Sequence, residues 1–320
     1  MPSNQQTIAS ETRITGAASG CPLYVRRKRL AGQDKAPGER IVVCVHGATY
    51  PSSGTFDLPL DGVSWMDDLA RAGFDVHALD MAGYGGSGSW AAMQEAAAER
   101  APLLPTADAV ADLAGLVDHL LQSHGAARLS LLGWSWGSSV AAAYAARHPA
   151  KVANLVLHAP QWIRQTPSMI NTSGKLGAFR TVTSADAIER WIGAIPEAQR
   201  AATAPQAWQD AWVEANFAPA AGNGGQKTLR APNGVLKDNA EYWAAGKALY
   251  DPAAIEARTL LILGEWDRDT PPYMAQEVFG RLANAAEKRL VILGGGTHMM
   301  MLERPRHRLF DETRLFLSQS

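Results

Sequence analysis

The sequence predicts an α/β fold, a mostly parallel twisted sheet with helices on both faces. Two observations carry that expectation. Short apolar runs recur along the chain with helical patterns between them, the alternation that parallel strands require. The runs are also continuously apolar rather than alternating, as strands covered on both faces must be. With 320 residues, 47% of them hydrophobic and 19% charged, the chain can bury a sizeable core.

The basic run "RRKRL" at 26–30, following "PLYV", reads as the solvated edge of an early strand. "IVVCV" at 41–45 is the first fully apolar run, and a helix over 62–72 leads to "FDVHALD" at 74–80. A helix over 107–124 precedes "LSLLG" at 129–133, and one over 137–147 leads to "VANLVLH" at 152–158. The closing strands are "TLLILG" at 259–264 and "RLVILG" at 289–294, with helices over 271–284 and 303–318. Asp269 and Thr270 stand before Pro271-Pro272, the order of a helix cap followed by proline in the first turn.

From about 161 to 245 the rhythm breaks. No strand is evident there, only helical pieces such as "SADAIERWIGAI" and "APQAWQDAWVEANF", followed by the glycine-rich "AAGNGGQK". This segment reads as a helical insertion over the end of the sheet, between core portions 1–160 and 246–320. It holds five of the ten tryptophans: Trp162, Trp191, Trp208, Trp212 and Trp243. Large side chains help a small layer bury enough area, which explains them plainly. The functional alternative is a substrate pocket, with Trp134, Trp162, Trp212 and Trp243 as the candidates.

A net charge of −1 offers no electrostatic footprint for nucleic acid or an anionic membrane. No run of about 18 apolar residues suggests a membrane span. Cys21 and Cys44 make no disulfide framework, and Cys44 inside "IVVCV" reads as a small buried hydrophobe. The start, "MPSNQQTIASETR", lacks the basic-then-apolar order of a secretory signal, so the sequon "NTS" at 171–173 carries no weight. A cytoplasmic location is the expectation; assembly into a homo-oligomer is left open.

The chemistry concentrates in "RLSLLGWSWGSSVAAAYAARHP", residues 128–149. Gly133-Trp134-Ser135-Trp136-Gly137 fits the G-x-S-x-G pattern of a nucleophile elbow, preceded by a strand and followed by a helix. Ligands of parallel sheets bind beyond the carboxyl ends of the strands, where helix N–H groups point. The glycines permit a turn too tight for a neighbouring Cβ, and the Trp136 N–H opens the helix as an oxyanion donor. A serine hydroxyl needs a base. Among eight histidines, His298, after "LGGGT" and the last strand, is the best placed; His46 opens a loop before a glycine, and His158 ends a strand. "LLILGEWDRDTPP" offers Glu265, Asp267 and Asp269 to orient that base, and Asp267 lies ahead of the helix cap. No metal-ligand spacing appears, and no cofactor is expected.

These segments resemble the α/β-hydrolase superfamily with a helical cap inserted after the sixth strand, over residues 22 to 318. "VHGAT" is similar to that family's His-Gly turn after the third strand, which implies Ala48 N–H as the second oxyanion donor beside Trp136. "LDMAGYGGSG" resembles the D-x-R-G-x-G-x-S turn, with Ala82 where arginine is usual. Its "GYGGSG" also fits a dinucleotide fingerprint, but no βαβ unit with a following acidic residue surrounds it. An aspartate nucleophile would mark a haloalkane dehalogenase; Ser135 stands there instead.

The resemblance implies a serine esterase that takes a small-molecule ester with a bulky apolar or aromatic group through an acyl-enzyme. "HGATYPSSGTF" is similar to esterases of monoalkyl phthalates, whose anionic substrate would need a cation such as Arg164 or Arg180, although a surface position explains either arginine. The alternative is proline iminopeptidase, whose elbow helix "WSWGSSVAAAYAARHPAKVANLVLHAP" resembles. That activity would need carboxylates for an ammonium group, with Glu214 and Glu241 as candidates. A catalytically silent binding module is the third reading.

Overall fold

In the computed structural model, which describes residues 6–170, 175–219 and 226–319, the continuous apolar runs become buried strands of one sheet. Its eight strands are β1 (Thr7–Thr15), β2 (Pro22–Leu30), β3 (Ile41–Val45), β4 (Asp75–Leu79), β5 (Leu129–Trp134), β6 (Val152–His158), and, after the insertion, β10 (Arg258–Gly264) and β11 (Lys288–Leu293). They lie in the order β1-β2-β4-β3-β5-β6-β10-β11. The strands from β4 to β11 are parallel, while β2 pairs antiparallel with β1 and β4. Every residue of β3, β4, β5 and β6 is buried.

Alternate side chains of β3 feed two cores. Ile41, Val43 and Val45 join one apolar cluster, and Val42 and Cys44 join the other. The first is covered by α3 (Thr106–His124), α4 (Trp136–Arg147) and α9 (Pro272–Arg281). The second is covered by α2 (Trp65–Arg71) and α10 (Arg306–Ser318). A short α1 (Ser52–Phe56) follows β3. The helix starts and stops have local causes. Ser64 and Asp67 form a reciprocal capping box on α2, and Gly125 closes α3 in the left-handed conformation at φ 69°. Among the described residues no helix is long and apolar enough to cross a membrane.

Two elements differ from the sequence expectation. Strand β1, "TIASETRIT", pairs with β2 along its whole length, from Thr7↔Leu30 to Thr15↔Pro22. It is mostly exposed and polar, which suits a sheet edge that must resist further pairing and hides it from a search for apolar runs. The segment 161–245 is also not purely helical. Besides α5 (Ser184–Ile192), α6 (Arg200–Thr203), α7 (Gln206–Asn216) and α8 (Gly234–Asp238), it forms a sheet of β7 (Phe179–Thr183), β8 (Ala218–Pro219) and β9 (Lys227–Pro232) in the order β7-β9-β8. These strands are short and half-exposed, so they lack the apolar run of a core strand. Residues 220–225 of "AAGNGGQK" and the sequon lie outside the described residues.

An ion pair ties the antiparallel edge to the parallel core. Asp75, fully buried at the start of β4, takes Arg27 Nε and Nη2 of β2 at 2.7 and 2.6 Å. Burial alone would raise its pKa, but Arg27 and His77 hold the carboxyl well below the ordinary range. Arg27→Ala leaves that charge buried and unpaired, and urea unfolding at pH 7 will show a loss of about 3–5 kcal/mol. The deficit narrows as pH falls below about 4, because the wild-type contribution of a depressed carboxyl is lost on protonation.

Candidate active site

The loops that leave β3, β5, β10 and β11 at their carboxyl ends meet on one edge of the sheet. The sharpest is the turn from β5 into α4. Ser135 sits there at φ 56°, ψ −121°, a conformation that costs a non-glycine residue about 1–3 kcal/mol. Close backbone approach holds it: a Cβ on Gly133 would lie 2.3 Å from the Gly137 oxygen, and one on Gly137 would lie 2.1 Å from the Val45 oxygen. Both glycines are therefore steric requirements.

Ser135 Oγ lies 2.9 Å from His298 Nε2, and His298 Nδ1 lies 2.9 Å from Asp267 Oδ2. Asp267 is itself fixed: Oδ1 accepts from the N–H groups of Asp269 and Thr270 at 2.9 and 2.8 Å, and Oδ2 accepts from Thr270 Oγ1 at 2.9 Å. A carboxylate on Nδ1 selects the tautomer whose Nε2 can take a proton from the serine. Burial pulls the His298 pKa down, but the Asp267 and Asp269 carboxylates outweigh it and set the pKa above the ordinary histidine value.

The surroundings are equally fixed. Trp134 Nε1 donates to the His298 carbonyl at 3.0 Å, so the tryptophan before the serine holds the histidine loop. Trp136 Nε1 donates to Thr106 Oγ1 at 2.8 Å, and Thr106 bonds Asp238 of α8. Buried Glu303 accepts from Thr297 N at 2.9 Å and from Trp191 Nε1 of α5 at 2.8 Å, which joins the histidine loop to the insertion. Among the described residues, neither the Ala48 nor the Trp136 backbone N–H has a protein acceptor, and both residues line the cavity beside Ser135.

The competing histidines are spoken for. His46 Nε2 accepts from Met81 N at 3.0 Å, so Nδ1 carries the proton and donates to the Gly47 carbonyl at 2.7 Å. Burial lowers the pKa of both His46 and His158 to about 4, which keeps them neutral. The Asp80 carboxylate accepts from Gly86 N of the "GYGGSG" turn at 2.9 Å and from Ser52 N of α1 at 2.7 Å, so the turn closes on the protein's own carboxylate.

The cavity above Ser135 holds about 780 Å³ of empty space, its open mouth included. Trp134 and Trp243 line it; Trp162 and Trp212 do not. Trp162 packs edge-on against Tyr250 in the core below, at 5.1 Å between centroids. Trp212 sits behind the lining, edge-on to Tyr50 and Trp191 at 4.7 and 5.4 Å. Trp191 is the lining tryptophan that the sequence candidates omit. Spacing along α5 marks it as an inward-facing residue, without saying whether that face meets core or cavity.

Neither candidate arginine is a plain surface residue. Arg164 lines the cavity, and Arg180 reaches the loop after β3. Arg190, a lining residue with no sequence signal, pairs with Asp269. Glu214 and Glu241 are exposed outside the cavity, beside Lys227 and Lys237.

Among the described residues, two groups of side chains bring potential metal donors within 4.8 Å, a clustering that spacing along the chain did not suggest: Asp75-His77-His124 and Asp267-Asp269-His298. In the first, the Arg27 guanidinium already occupies Asp75. The second is the hydrogen-bonded relay already described.

Comparison with known proteins follows this geometry. No curated protein matches the sequence. Among solved structures, an esterase from Thermogutta terrifontis is 18% identical with a TM-score of 0.62, over 97% of this chain and 98% of that one. The 2-hydroxy-6-oxo-6-phenylhexa-2,4-dienoate hydrolase of Rhodococcus sp. strain RHA1 is 15% identical at TM-score 0.61, over 98% and 100%. A thioesterase domain from the curacin biosynthetic pathway is 16% identical at TM-score 0.61, over 97% and 99%. At these identities the likeness is one of fold. The serine aminopeptidase S33 family matches residues 37–305, most of the chain, and the chain therefore belongs to that family of α/β-hydrolases.

Proposed function

We propose that this α/β-hydrolase is a serine esterase working through an acyl-enzyme. The unbroken hydrogen-bonded path from Ser135 Oγ through His298 to Asp267 carries the reading. Ser135 attacks the ester carbonyl carbon as His298 Nε2 takes its proton. The Ala48 and Trp136 N–H groups receive the oxyanion, a contribution of about 10²–10³ in rate per donor. His298 then protonates the departing alkoxide, and water repeats the cycle on the acyl group.

The lining suggests the substrate. Tyr50, Trp134, Trp191 and Trp243 offer aromatic surface for a bulky group. Arg164 supplies charge without a matching carboxylate. Its Nε donates to Asn239 Oδ1 at 3.0 Å, its Nη2 to Gln161 Oε1 and the Asp269 carbonyl at 3.1 Å each, and its Nη1 has no hydrogen-bond partner. A half-buried cation held by neutral oxygens favours a substrate that brings its own carboxylate, and a monoalkyl phthalate-type ester meets both demands.

Aminopeptidase activity, the chemistry named by the family, would need anionic groups for a substrate ammonium. The carboxylate lining the cavity, Asp269, is engaged by Arg190.

On purified protein, Ser135→Ala will fold normally and lose roughly 10⁶ in turnover, and a fluorophosphonate probe will label wild type but not this variant. Aromatic monoesters will be cleaved while prolyl and other aminoacyl anilides will not; the reverse pattern favours the peptidase. Because His298 acts as a base and its pKa is raised, kcat/KM will fall with acidification along a limb whose midpoint lies above 6.5, the ordinary histidine value. Asp267→Asn will shift that limb to lower pH and reduce kcat by about 10⁴. Arg164→Gln will lower the kcat/KM ratio of monobutyl phthalate to its neutral analogue butyl 2-methylbenzoate by roughly tenfold.

A further inference from the structure

We infer that Arg180, a residue of the insertion, is a positioning residue for the oxyanion hole: its guanidinium locks the Ala48 peptide from above the sheet, so the hole is complete only when the insertion is docked. This rests on the serine-esterase reading and goes beyond it.

The contacts are specific. Arg180 projects from β7 and its Nη2 donates to the Ala48 carbonyl at 2.6 Å and to Thr49 Oγ1 at 3.0 Å. Nη1 donates to the Pro232 carbonyl at 2.8 Å, which braces the side chain against the neighbouring strand β9. Tyr84 Oη donates to the same Ala48 carbonyl at 2.8 Å. Among the described residues Arg180 makes no ion pair. Burial lowers its pKa, and no carboxylate is supplied to offset that cost. A surface tether would not need a desolvated cation with only neutral partners.

The consequence follows from peptide planarity. The Ala48 N–H belongs to the Gly47–Ala48 peptide, whose carbonyl accepts from His46 Nδ1 at 2.7 Å. The next peptide, Ala48–Thr49, is held at its carbonyl by Arg180 and Tyr84. With its own plane held at the Gly47 carbonyl and the next plane held at the Ala48 carbonyl, the Ala48 N–H cannot swing away, and a donor fixed in advance loses nothing to reorganisation when the oxyanion forms. Gly47 leaves no slack either: a Cβ there would meet the Trp134 ring at 3.0 Å and Ser135 Cβ at 3.2 Å. The His46 and Tyr84 contacts come from the core. Arg180 is the donor that the insertion adds.

The test uses full-length protein and a neutral ester, 4-nitrophenyl butyrate, so that Arg164 plays no part. Arg180→Gln is expected to lower kcat by roughly 10- to 100-fold with KM altered less than threefold. It should weaken binding of a trifluoromethyl ketone, which adds to Ser135 and forms an oxyanion, by the same factor. Arg180→Lys, which can still donate to the Ala48 carbonyl, should recover part of both losses. Arg230→Gln serves as the comparison: it removes another contact from the insertion to the core, at the Met93 carbonyl, without touching the oxyanion loop. It should lower the melting temperature while leaving kcat and ketone affinity within twofold.

If Arg180→Gln does not fold, Tyr84→Phe removes the other donor to the same carbonyl and must show the same loss in kcat and ketone affinity. Unchanged kcat and ketone affinity in the Arg180 variant, or a rise in KM alone, overturns the assignment. So does an equal kcat loss in Arg230→Gln, which would make the effect one of general docking. If wild type neither cleaves esters nor reacts at Ser135 with a fluorophosphonate, the esterase reading itself falls and takes this inference with it. Wild-type activity that Arg180→Gln retains sinks only the role of Arg180.

Discussion

The backbone at Ser135 is the constraint on which the rest of the site depends. A residue with a side chain is held at positive φ because β5 must turn into α4 with no intervening loop. The turn survives because Gly133 packs on Gly137, and Gly137 packs on the Val45 carbonyl of the adjacent strand β3. That second contact sets more than the serine. It brings the elbow against the end of β3, so the loop carrying Ala48 and the first turn of α4 face the same space. Two donors from distant parts of the chain converge because two glycines allow two backbones to touch.

A rim built this way must still fix its side chains, and the tryptophans on either side of the serine do much of that. Trp134 points to one face and holds the carbonyl of His298, while Trp136 points to the other and reaches Thr106 and, through it, Asp238 of the insertion. Residues two apart on an extended strand would share a face; the positive φ of Ser135 breaks the strand between them, so Trp134 packs into one apolar cluster and Trp136 into the other. Glu303 does similar work for the histidine loop, accepting from Thr297 and from Trp191 across the cavity wall. Core and insertion are thereby joined at several separate points around one serine.

The legible parts of the molecule were those in which one local pattern had one structural meaning. Unbroken apolar runs such as "IVVCV" can be little else than strands covered on both faces. A G-x-S-x-G between strand and helix constrains the backbone so tightly that the serine's place follows. Loops after "LLILG" and "RLVILG" bring Asp267 and His298 to the same edge because parallel strands end together. Less legible were features whose patterns are shared. The polar strand β1 carries the composition of a loop, and β7 and β9 are too short and too exposed to stand out. Trp162, Trp191 and Trp212 are equally buried aromatic residues in sequence terms. Which of them faces a cavity depends on what packs behind: Tyr250 receives the first, while the third supports Tyr50 and Trp191 from the rear. Arg164, Arg180 and Arg190 resemble ordinary surface cations until the insertion folds over the sheet.

Two of those arginines also reach the loop that holds the histidine. Asp267 is needed to orient His298, and Asp269 comes with it because both lie in the loop that opens α9. Together their carboxylates raise the imidazole pKa above the ordinary histidine value. Arg190 pairs with Asp269 and pulls the imidazole pKa back, while Arg164 bonds the backbone of the same loop without neutralising a carboxylate. The insertion thus carries the cations and the core carries the anions. Folding one over the other sets carboxylates beside His298 Nδ1 and the guanidinium groups of Arg164 and Arg190 along the same cavity. The insertion therefore contributes charge to this edge of the sheet as well as part of the cavity wall.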